Sequence, residues 1–247
     1  MRNIALIGSG NLGQHLFNHW INHPQVCITQ WVNRKASALT IKGVPCVTSI
    51  IDIQPTDAYV LAVPDRKIAS LSAQLPPTGI AIHCSGSIPL DHLKNKGEKA
   101  VLYPLQTFSK DRIVTFNTLP LFLETQSVAQ QEGLQQLADT LSDKQHWMTS
   151  TQRLRLHLAA VFANNFTNHL YHIAGKVCQE NELPFDVLFP LIQETAAKAL
   201  ELLPKKAQTR PALRNDNEVI GKHLELLKDA ELKKIYTILT QSIQSEK

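Results

Sequence analysis

The first residues of the chain constrain the fold most, because an apolar strand there runs directly into closely spaced glycines. Residues 4–7 are Ile-Ala-Leu-Ile, and a helical pattern containing Leu16 and Trp20 begins soon afterwards. The six residues between them have the spacing G-x-G-x-x-G: Gly8, Ser9, Gly10, Asn11, Leu12 and Gly13. A strand, a glycine turn and a helix in this order predict the first unit of a mostly parallel, doubly wound α/β sheet.

The glycine spacing also has a chemical meaning. The first glycine permits a sharp turn, the second lets the backbone approach a phosphate, and the third lets the helix pack on the strand. The N–H groups at the start of the helix then face the anion. We therefore predict that residues 8–13 bind the pyrophosphate of a dinucleotide. A plain βα turn that tolerates glycine is the alternative.

Composition excludes several other classes of protein. Of the 247 residues, 43% are hydrophobic and 19% charged, as in a soluble globular protein. The formal charge of +4 is spread along the chain, so we expect no nucleic-acid partner. The four cysteines form no C-x-x-C pair, which favours buried free thiols, a reducing compartment and no zinc. Without a signal peptide or an apolar run of membrane length, we expect a cytoplasmic protein with no membrane partner.

The end of the second predicted strand, residues 26–32, bears on the choice of cofactor. NAD-binding folds usually place Asp or Glu about 20 residues after the glycines to hold the ribose hydroxyls. Here Asn33 occupies that place, followed by Arg34, Lys35 and Ser37, which can meet a 2′-phosphate. The pattern therefore favours NADP over NAD, with an ordinary basic strand end as the alternative.

Three further apolar runs predict strands at residues 57–65, 80–84 and 100–103. Ligands of open α/β sheets bind outside the carboxyl ends of the strands. Pro64, Ser85 and Tyr103 are therefore candidates to line one pocket. His83 and Cys84 precede Ser85, and filling core space is the interpretation that we favour for both.

The predicted secondary structure changes in the second half of the chain, from strands to helices. Two short strands are predicted at 119–123 and 146–148, separated by a polar helix at 128–141. From about Thr151, which can cap a long helix, the pattern stays helical to the end. We predict a dinucleotide-binding domain at 1–125 and a mainly helical substrate and dimerisation domain at 126–247.

Polar residues on one face of the long helix supply candidates for chemistry. With about 100° per residue, His157, Val161, Asn164 and Asn168 fall within about 60° of one another. His157 can exchange a proton near neutral pH, so it is our candidate for general acid or base, and Asn164 can hydrogen-bond a substrate. A structural histidine with satisfied hydrogen bonds is the alternative.

Other polar groups in this half are weaker candidates. His169 and His172 have no evident third ligand, so we predict no metal site. A basic segment can grip an acidic substrate, although a solvated loop explains it equally well; it contains Lys205, Lys206, Arg210 and Arg214.

Four separated runs together resemble a known family: the glycine turn, 83–90 (HCSGSIPL), 103–108 (YPLQTF) and 209–216 (TRPALRND). They are similar to a largely uncharacterised group of Rossmann-like proteins with a helical C-terminal domain of unknown function. The layout also resembles pyrroline-5-carboxylate reductase and the deazaflavin-dependent NADP reductases.

The resemblance implies an NADP-binding domain followed by a helical domain that packs against a second copy of the chain. It places cofactor contacts at Asn33, Arg34, Val63, Pro64 and Ser85. It also matches a histidine and a following asparagine of the family to His157 and Asn165, whereas the helical-face argument selects Asn164. Many relatives have histidine in place of Tyr103, and glycine in place of Arg210, which leaves the roles of these two positions open.

These observations predict an NADP-dependent oxidoreductase that transfers hydride to or from a small, anionic carbonyl, imine or hydroxyl compound. His157 is the expected proton carrier, Asn165 or Asn164 orients the substrate, and Tyr103 can donate a hydrogen bond or a proton. The alternative from another class is a non-catalytic NADP sensor or dimeric scaffold. Transfer between NADP and a flavin-type compound is a third possibility.

Overall fold

The computed structural model describes residues 2–34, 36, 38–202, 204–207 and 216–245. The chain divides into two compact units, residues 1–161 and 162–247. This division follows compactness alone, so the domain boundary near Thr125 stays a prediction. The fold class is confirmed, because the first unit contains a mostly parallel sheet with helices and the second is helical.

The described residues contain nine strands in one sheet: β1 Asn3–Ile7, β2 Cys27–Val32, β3 Thr40–Ile41, β4 Val44–Val47, β5 Ala58–Leu61, β6 Ile80–His83, β7 Glu98–Pro104, β8 Leu121–Thr125 and β9 Gln145–Trp147. The strand order is β3-β4-β2-β1-β5-β6-β7-β8-β9. Only the β3–β4 and β7–β8 pairs of this described sheet are antiparallel.

The α-helices are α1 Asn11–Trp20, α2 Ile68–Ser72, α3 Val128–Asp139, α4 Ser150–Ala160, α5 Thr167–Glu180, α6 Phe189–Glu201, α7 Pro204–Ala207, α8 Asn217–Leu226 and α9 Ala230–Ser245. Short 3₁₀ turns lie at Ile50–Asp52, Asp65–Lys67, Leu90–His92 and Phe185–Leu188, and a π-helical turn at Val161–Phe166.

The strand order fixes where a ligand can bind. The chain passes from β1 to β2 on one side and later adds β5 on the other side of β1. Such a reversal opens a crevice at the carboxyl ends of the strands, where open α/β sheets bind ligands. The glycine turn follows β1 directly and therefore lies at this switch point.

The core of the first unit lies on both faces of the sheet. Side chains of β1 alternate, so that Ile4 and Leu6 join one apolar cluster while Ile7 joins the other. Trp20 of α1 is fully buried in the first cluster, and its indole N–H donates to Oγ1 of Thr140 at 2.8 Å. The polar atom of this large side chain is thereby satisfied.

The second unit exposes more large hydrophobic side chains than the first unit does. Within its described residues, only Cys178 and Leu232 are buried hydrophobic side chains. Twelve large hydrophobic side chains are exposed: Phe162, Phe166, Leu170, Leu183, Val187, Phe189, Leu191, Leu200, Leu202, Leu226, Ile238 and Leu239. Amphipathic helices normally pack such stripes against other apolar surfaces, and contiguous exposed apolar surface is typical of interaction sites.

The structure corrects three details of the sequence predictions. Strands β3 and β4 were not predicted, because two- and four-residue strands leave little periodic signal. Thr149, not Thr151, caps α4, since its hydroxyl accepts from Gln152 N while the Gln152 side chain accepts from Thr149 N. The turn at 161–166 is π-helical rather than α-helical, with Oγ1 of Thr167 donating to the carbonyl of Phe162.

The cysteines agree only partly with the expectation of buried thiols. All four are free; Cys84 and Cys178 are buried, Cys46 is half-buried and Cys27 is exposed. Within the described ranges, no helix has the length and apolar character needed to cross a bilayer.

His83 and Cys84 at the end of β6 lie in the core, as the favoured interpretation stated. His83 is fully buried, and its Nδ1 accepts from the Ser85 N–H at 3.2 Å. Burial, and secondarily the Arg153 charge, lower the pKa of His83 to about 3. Burial raises the pKa of the Cys84 thiol to about 12. Both side chains are therefore neutral at physiological pH.

The depressed pKa of His83 predicts acid sensitivity. The unfolded chain takes up this proton below about pH 6.5, whereas the folded protein excludes it down to about pH 3. The free energy of unfolding should thus fall as the pH drops through this window. Urea unfolding between pH 7 and 4 should show a smaller loss in His83→Asn than in the wild type. The exposed His146→Asn variant is the control. Parallel pH profiles for wild type and His83→Asn would contradict the assignment.

Candidate functional site

The three glycines after β1 differ in what surrounds each of them. Gly8 has a φ of +110°, and a Cβ there would overlap the Ala62 carbonyl oxygen. A Cβ on Gly13 would overlap the carbonyl oxygen of Gly8. In contrast, apart from the chain neighbours of Gly10 and the backbone of the helix that follows it, no atom of the described residues lies within 4 Å of the Cβ position of Gly10. Packing accounts for the first and third glycines, whereas the second borders space that a ligand can fill.

Contacts from β2 and α1 hold the glycine turn in place. The Gly8 N–H donates to the Val32 carbonyl at 3.0 Å, and the Trp31 indole N–H donates to the Gly8 carbonyl at 2.9 Å. The Trp31 ring stacks on Phe17 of α1 with centroids 4.1 Å apart. Because these partners come from a strand and a helix, they fix the position of this turn, which is the predicted pyrophosphate cradle.

A second segment lies against this turn and α1, and this contact was not predicted from the sequence. The Asn11 side-chain amide donates to the Phe108 carbonyl at 2.7 Å, and Nε2 of His15 lies 3.0 Å from the Ser109 carbonyl. The β7–β8 connection therefore lies against the first turns of α1. Asn11, predicted as a cofactor residue, uses its amide to hold this connection.

The residues predicted to select NADP lie at the end of β2. Asn33 is 7% exposed, and its backbone N–H donates to the Val47 carbonyl at 2.9 Å. Arg34 is exposed. Lys35 and Ser37 lie outside the described residues.

The loops after β5 and β6 are tied together. Val63 is half-buried and Pro64 exposed, and the next residue, Asp65, accepts from the Ser87 hydroxyl at 2.6 Å. Oγ of Ser85 accepts from the N–H groups of Ser87 and Ile88, each at 3.1 Å. The oxygen of Ser85 thus holds the turn that follows β6.

The structure brings together the two predicted proton donors, Tyr103 and His157. The Tyr103 hydroxyl lies 3.2 Å from Nδ1 of His157. Gly86 lies against both: its Cβ position is 2.7 Å from Nδ1 of His157 and 2.8 Å from the Tyr103 hydroxyl oxygen. Any side chain at residue 86 would displace the pair. Tyr103 and His157 therefore form one unit.

The surroundings keep the Tyr103 phenol protonated. Burial raises its pKa most, the Arg153 charge opposes this rise, and the Asp65 carboxylate adds to it. A neutral phenol can accept from Nδ1–H of His157 and donate its own hydrogen to a third group. The pair can therefore link the imidazole to a ligand.

The asparagine candidates lie in the π-helical turn. Asn164 and Asn165 are both exposed, and the Asn164 amide donates to Oδ1 of Asn165 at 3.4 Å. The argument for Asn164 assumed an unbroken α-helix from His157 onward. A π-turn contains one residue more per hydrogen-bonded loop, so that assumption is wrong.

The remaining candidates form no site in the described part of the chain. The His169 and His172 rings are 6.2 Å apart, and no group of three or more potential metal ligands occurs among the described residues. Lys205 is exposed. The Lys206 side chain, Arg210 and Arg214 lie outside the described residues.

Comparison with known proteins shows which family and which solved structures this chain resembles. Residues 119–243 match the family described as a domain of unknown function, DUF2520. A solved structure from Bacteroides fragilis, provisionally described as an NADP oxidoreductase, is 37% identical, with a TM-score of 0.89 over 99% of this chain and 98% of that chain. A search of curated proteins found no match.

Two more distant structures share the fold. The reductive aminase of Aspergillus terreus, in complex with NADPH and ethyl-5-oxohexanoate, is 12% identical, with a TM-score of 0.72 over 100% of this chain and 94% of that chain. The pyrroline carboxylate reductase of Plasmodium falciparum with NADP bound is 11% identical, with a TM-score of 0.57 over 99% of this chain and 96% of that chain.

The resemblance in layout is confirmed. Since the family match spans more than half of the 247 residues and the Bacteroides protein is 37% identical over nearly the full length, this chain belongs to the DUF2520 family.

Proposed function

We propose that this protein is an NADP-dependent oxidoreductase that transfers hydride to or from a small carbonyl, imine or hydroxyl compound. The observation that carries the proposal is the Tyr103–His157 pair beside Gly86, in the same sheet unit as the pyrophosphate cradle. A hydride reaction at C=O or C=N needs both a dinucleotide and a proton donor. This chain offers residues suited to each.

NADP is the cofactor of this proposal. The space beside Gly10 accommodates a pyrophosphate, and neutral Asn33 with exposed Arg34 suits a 2′-phosphate better than a ribose diol. Val63, Pro64 and Ser85 border the same crevice at the ends of β5 and β6. The NADP and NADPH named for the related structures support this choice. When bound, the cofactor supplies or accepts the hydride.

His157 and Tyr103 have distinct proton roles in this proposal. His157 is the proton carrier, because an imidazole can give or take a proton at a ring nitrogen, and its Nδ1 lies beside the Tyr103 hydroxyl. Tyr103 stays neutral because burial raises its pKa. In the reducing direction, the Tyr103 hydroxyl donates to the oxygen or nitrogen of the substrate while it accepts a proton from Nδ1 of His157. The electron pair of the C=O or C=N bond moves to that heteroatom as the hydride reaches carbon.

Asn165 is the preferred residue for orienting the substrate. The family motif selects it, and the π-turn removes the helical-face argument for Asn164. We also propose that the substrate is anionic, because the segment that contains Lys205 is rich in basic residues.

A non-catalytic NADP sensor or scaffold is the second candidate function. The extent of exposed apolar surface in the helical unit favours it, since a scaffold works mainly through association. It requires tight NADPH binding without oxidation by any acceptor, which separates it from the enzyme.

Two glycine variants test the cofactor site. Gly8→Ala should destabilise the protein by about 1 kcal/mol or more, because of the positive φ and the overlap with Ala62. Gly10→Ala should leave the melting temperature unchanged but weaken NADPH binding by at least about tenfold, since its methyl group enters the ligand space. Calorimetry and fluorescence titration measure the two effects. Unchanged NADPH affinity in Gly10→Ala would exclude this turn as the pyrophosphate site.

The proton pair is tested by turnover. NADPH oxidation is followed with a panel of imino acids and keto acids. On any accepted compound, His157→Ala should lower kcat/KM by about 100- to 10,000-fold, the range for losing a general acid. Tyr103→Phe should also reduce it and should leave NADPH affinity intact. His169→Ala, an exposed histidine, is the control. Equal rates for wild type and His157→Ala would remove His157 from the mechanism.

The protein acts as a homodimer through its helical unit in this proposal. Beyond the exposed side chains, α5, α8 and α9 line an apolar cavity of about 300 Å³ that includes Leu170, Ile173, Val177 and Leu239. A second copy presents the same side chains, so a two-fold interface can cover both surfaces.

Sedimentation analysis tests the dimer. The wild type should sediment as a dimer, and Val187→Glu/Leu191→Glu should shift it to monomer, because these side chains are 62% and 63% exposed in the helical unit. Ile113→Glu is the matched control, since Ile113 is 94% exposed but lies in the sheet unit. A monomeric wild type, or a dimer equally weakened by Ile113→Glu, would reject this interface.

A further inference from the structure

Arg153 on α4 carries a guanidinium group and is only 1% exposed. It forms an ion pair with Glu124 of β8, whose side chain is 16% exposed. Removing two charges from water opposes much of their attraction, so a buried ion pair is weak evidence for stability. A role in the geometry of the site is a better explanation, because Arg153 precedes His157 by four residues.

The guanidinium connects three parts of the sheet unit. Nη1 contacts the Glu124 carboxylate, and Nη2 donates to the Ile88 carbonyl at 2.6 Å and to Oγ of Ser150 at 3.3 Å. The planar fork of an arginine can serve all three acceptors from one position, which the compact charge of a lysine cannot.

Ser150 reinforces the same attachment. Its backbone N–H and its hydroxyl both donate to Oε1 of Glu124 at 2.9 Å. Its Oγ also accepts from the Leu90 N–H at 2.9 Å. The first turn of α4 is therefore fastened to both β8 and the loop after β6.

The contacts between α4 and that loop form a regular series. Ser150 meets Leu90, Arg153 meets Ile88, and His157 lies against Gly86. On the helix these residues are three and four apart, so they share one face. Their partners on the loop, Leu90, Ile88 and Gly86, are two residues apart and follow the opposite chain direction. Arg153 is the middle contact, and His157 is the last.

We propose that Arg153 is a positioning residue that, together with Glu124, holds His157 against Gly86 and Tyr103 in reactive alignment. This rests on the proposed role of His157 as proton carrier. Among the described residues, the hydrogen-bond partner of the His157 ring is the Tyr103 hydroxyl. The position of the His157 backbone depends instead on the contacts that attach α4 to β8 and to the loop after β6. The Arg153 charge also opposes the rise in the pKa of Tyr103.

The test compares three variants. Arg153→Met removes the guanidinium and leaves Glu124 without its partner. Glu124→Gln/Arg153→Met removes both charges, which is often neutral for stability and so restores a folded protein if the single variant is unstable. Arg155→Met is the matched control, an exposed arginine two residues along the same helix. Melting temperature and NADPH affinity establish that each variant is folded and binds cofactor.

The decisive readout needs no substrate. NMR of ¹⁵N-histidine protein records the ring nitrogens of His157, assigned by their loss in His157→Asn. In the wild type and Arg155→Met these signals should change on Tyr103→Phe substitution, because the pair is aligned. In the folded double variant they should be shifted and insensitive to Tyr103→Phe. With an accepted substrate, kcat/KM should fall about 100-fold while NADPH affinity is unchanged.

Unchanged His157 signals in the double variant, still sensitive to Tyr103→Phe, would overturn the positioning role. If neither variant folds, Arg153→Lys provides the same comparison, and wild-type signals there would equally overturn it. Absence of turnover in the wild type would instead count against the proposed oxidoreductase. The NMR result could still be interpreted, because it needs no substrate.

Discussion

The close approach of the Gly8 backbone to the Ala62 carbonyl is the constraint on which the candidate site depends. It brings the turn after β1 against the end of β5, at the point where the strand order reverses. No side chain fits there, and the positive φ excludes most residues other than glycine. Contacts from β2 and α1 hold the same turn at this switch point. The loop after β6 contains Gly86, which lies against Tyr103 and His157.

Much of the fold could be predicted because its signals are local. An apolar run followed by three spaced glycines identifies the first βα unit, and continuous apolar runs identify β5 and β6, which are covered on both faces. The short strands β3 and β4 escaped prediction because their pairing depends on tertiary contacts. The π-turn at Val161–Phe166 was missed because hydrophobic periodicity assumes one helical type throughout.

The candidate site was predictable as a set of residues but not as an arrangement. Tyr103 and His157 were separate candidates 54 positions apart, and only the register of β7 and the attachment of α4 show that they share a hydrogen bond. The role of Gly86 and the buried Arg153–Glu124 pair had no sequence signal, since a lone glycine or arginine fits many environments. The contact between the Asn11 amide and the Phe108 carbonyl had no signal either, because it joins segments that are distant in sequence.

We propose that one crevice holds NADP at the glycine turn and presents its reactive ring to the Tyr103–His157 pair. A crystal structure of the protein with NADPH would test this proposal. We expect the pyrophosphate beside Gly10, the 2′-phosphate at Arg34, and the nicotinamide ring facing a polar pocket that includes the Tyr103 hydroxyl. A nicotinamide ring that is covered by protein, or that is turned away from Tyr103 and His157, would contradict it.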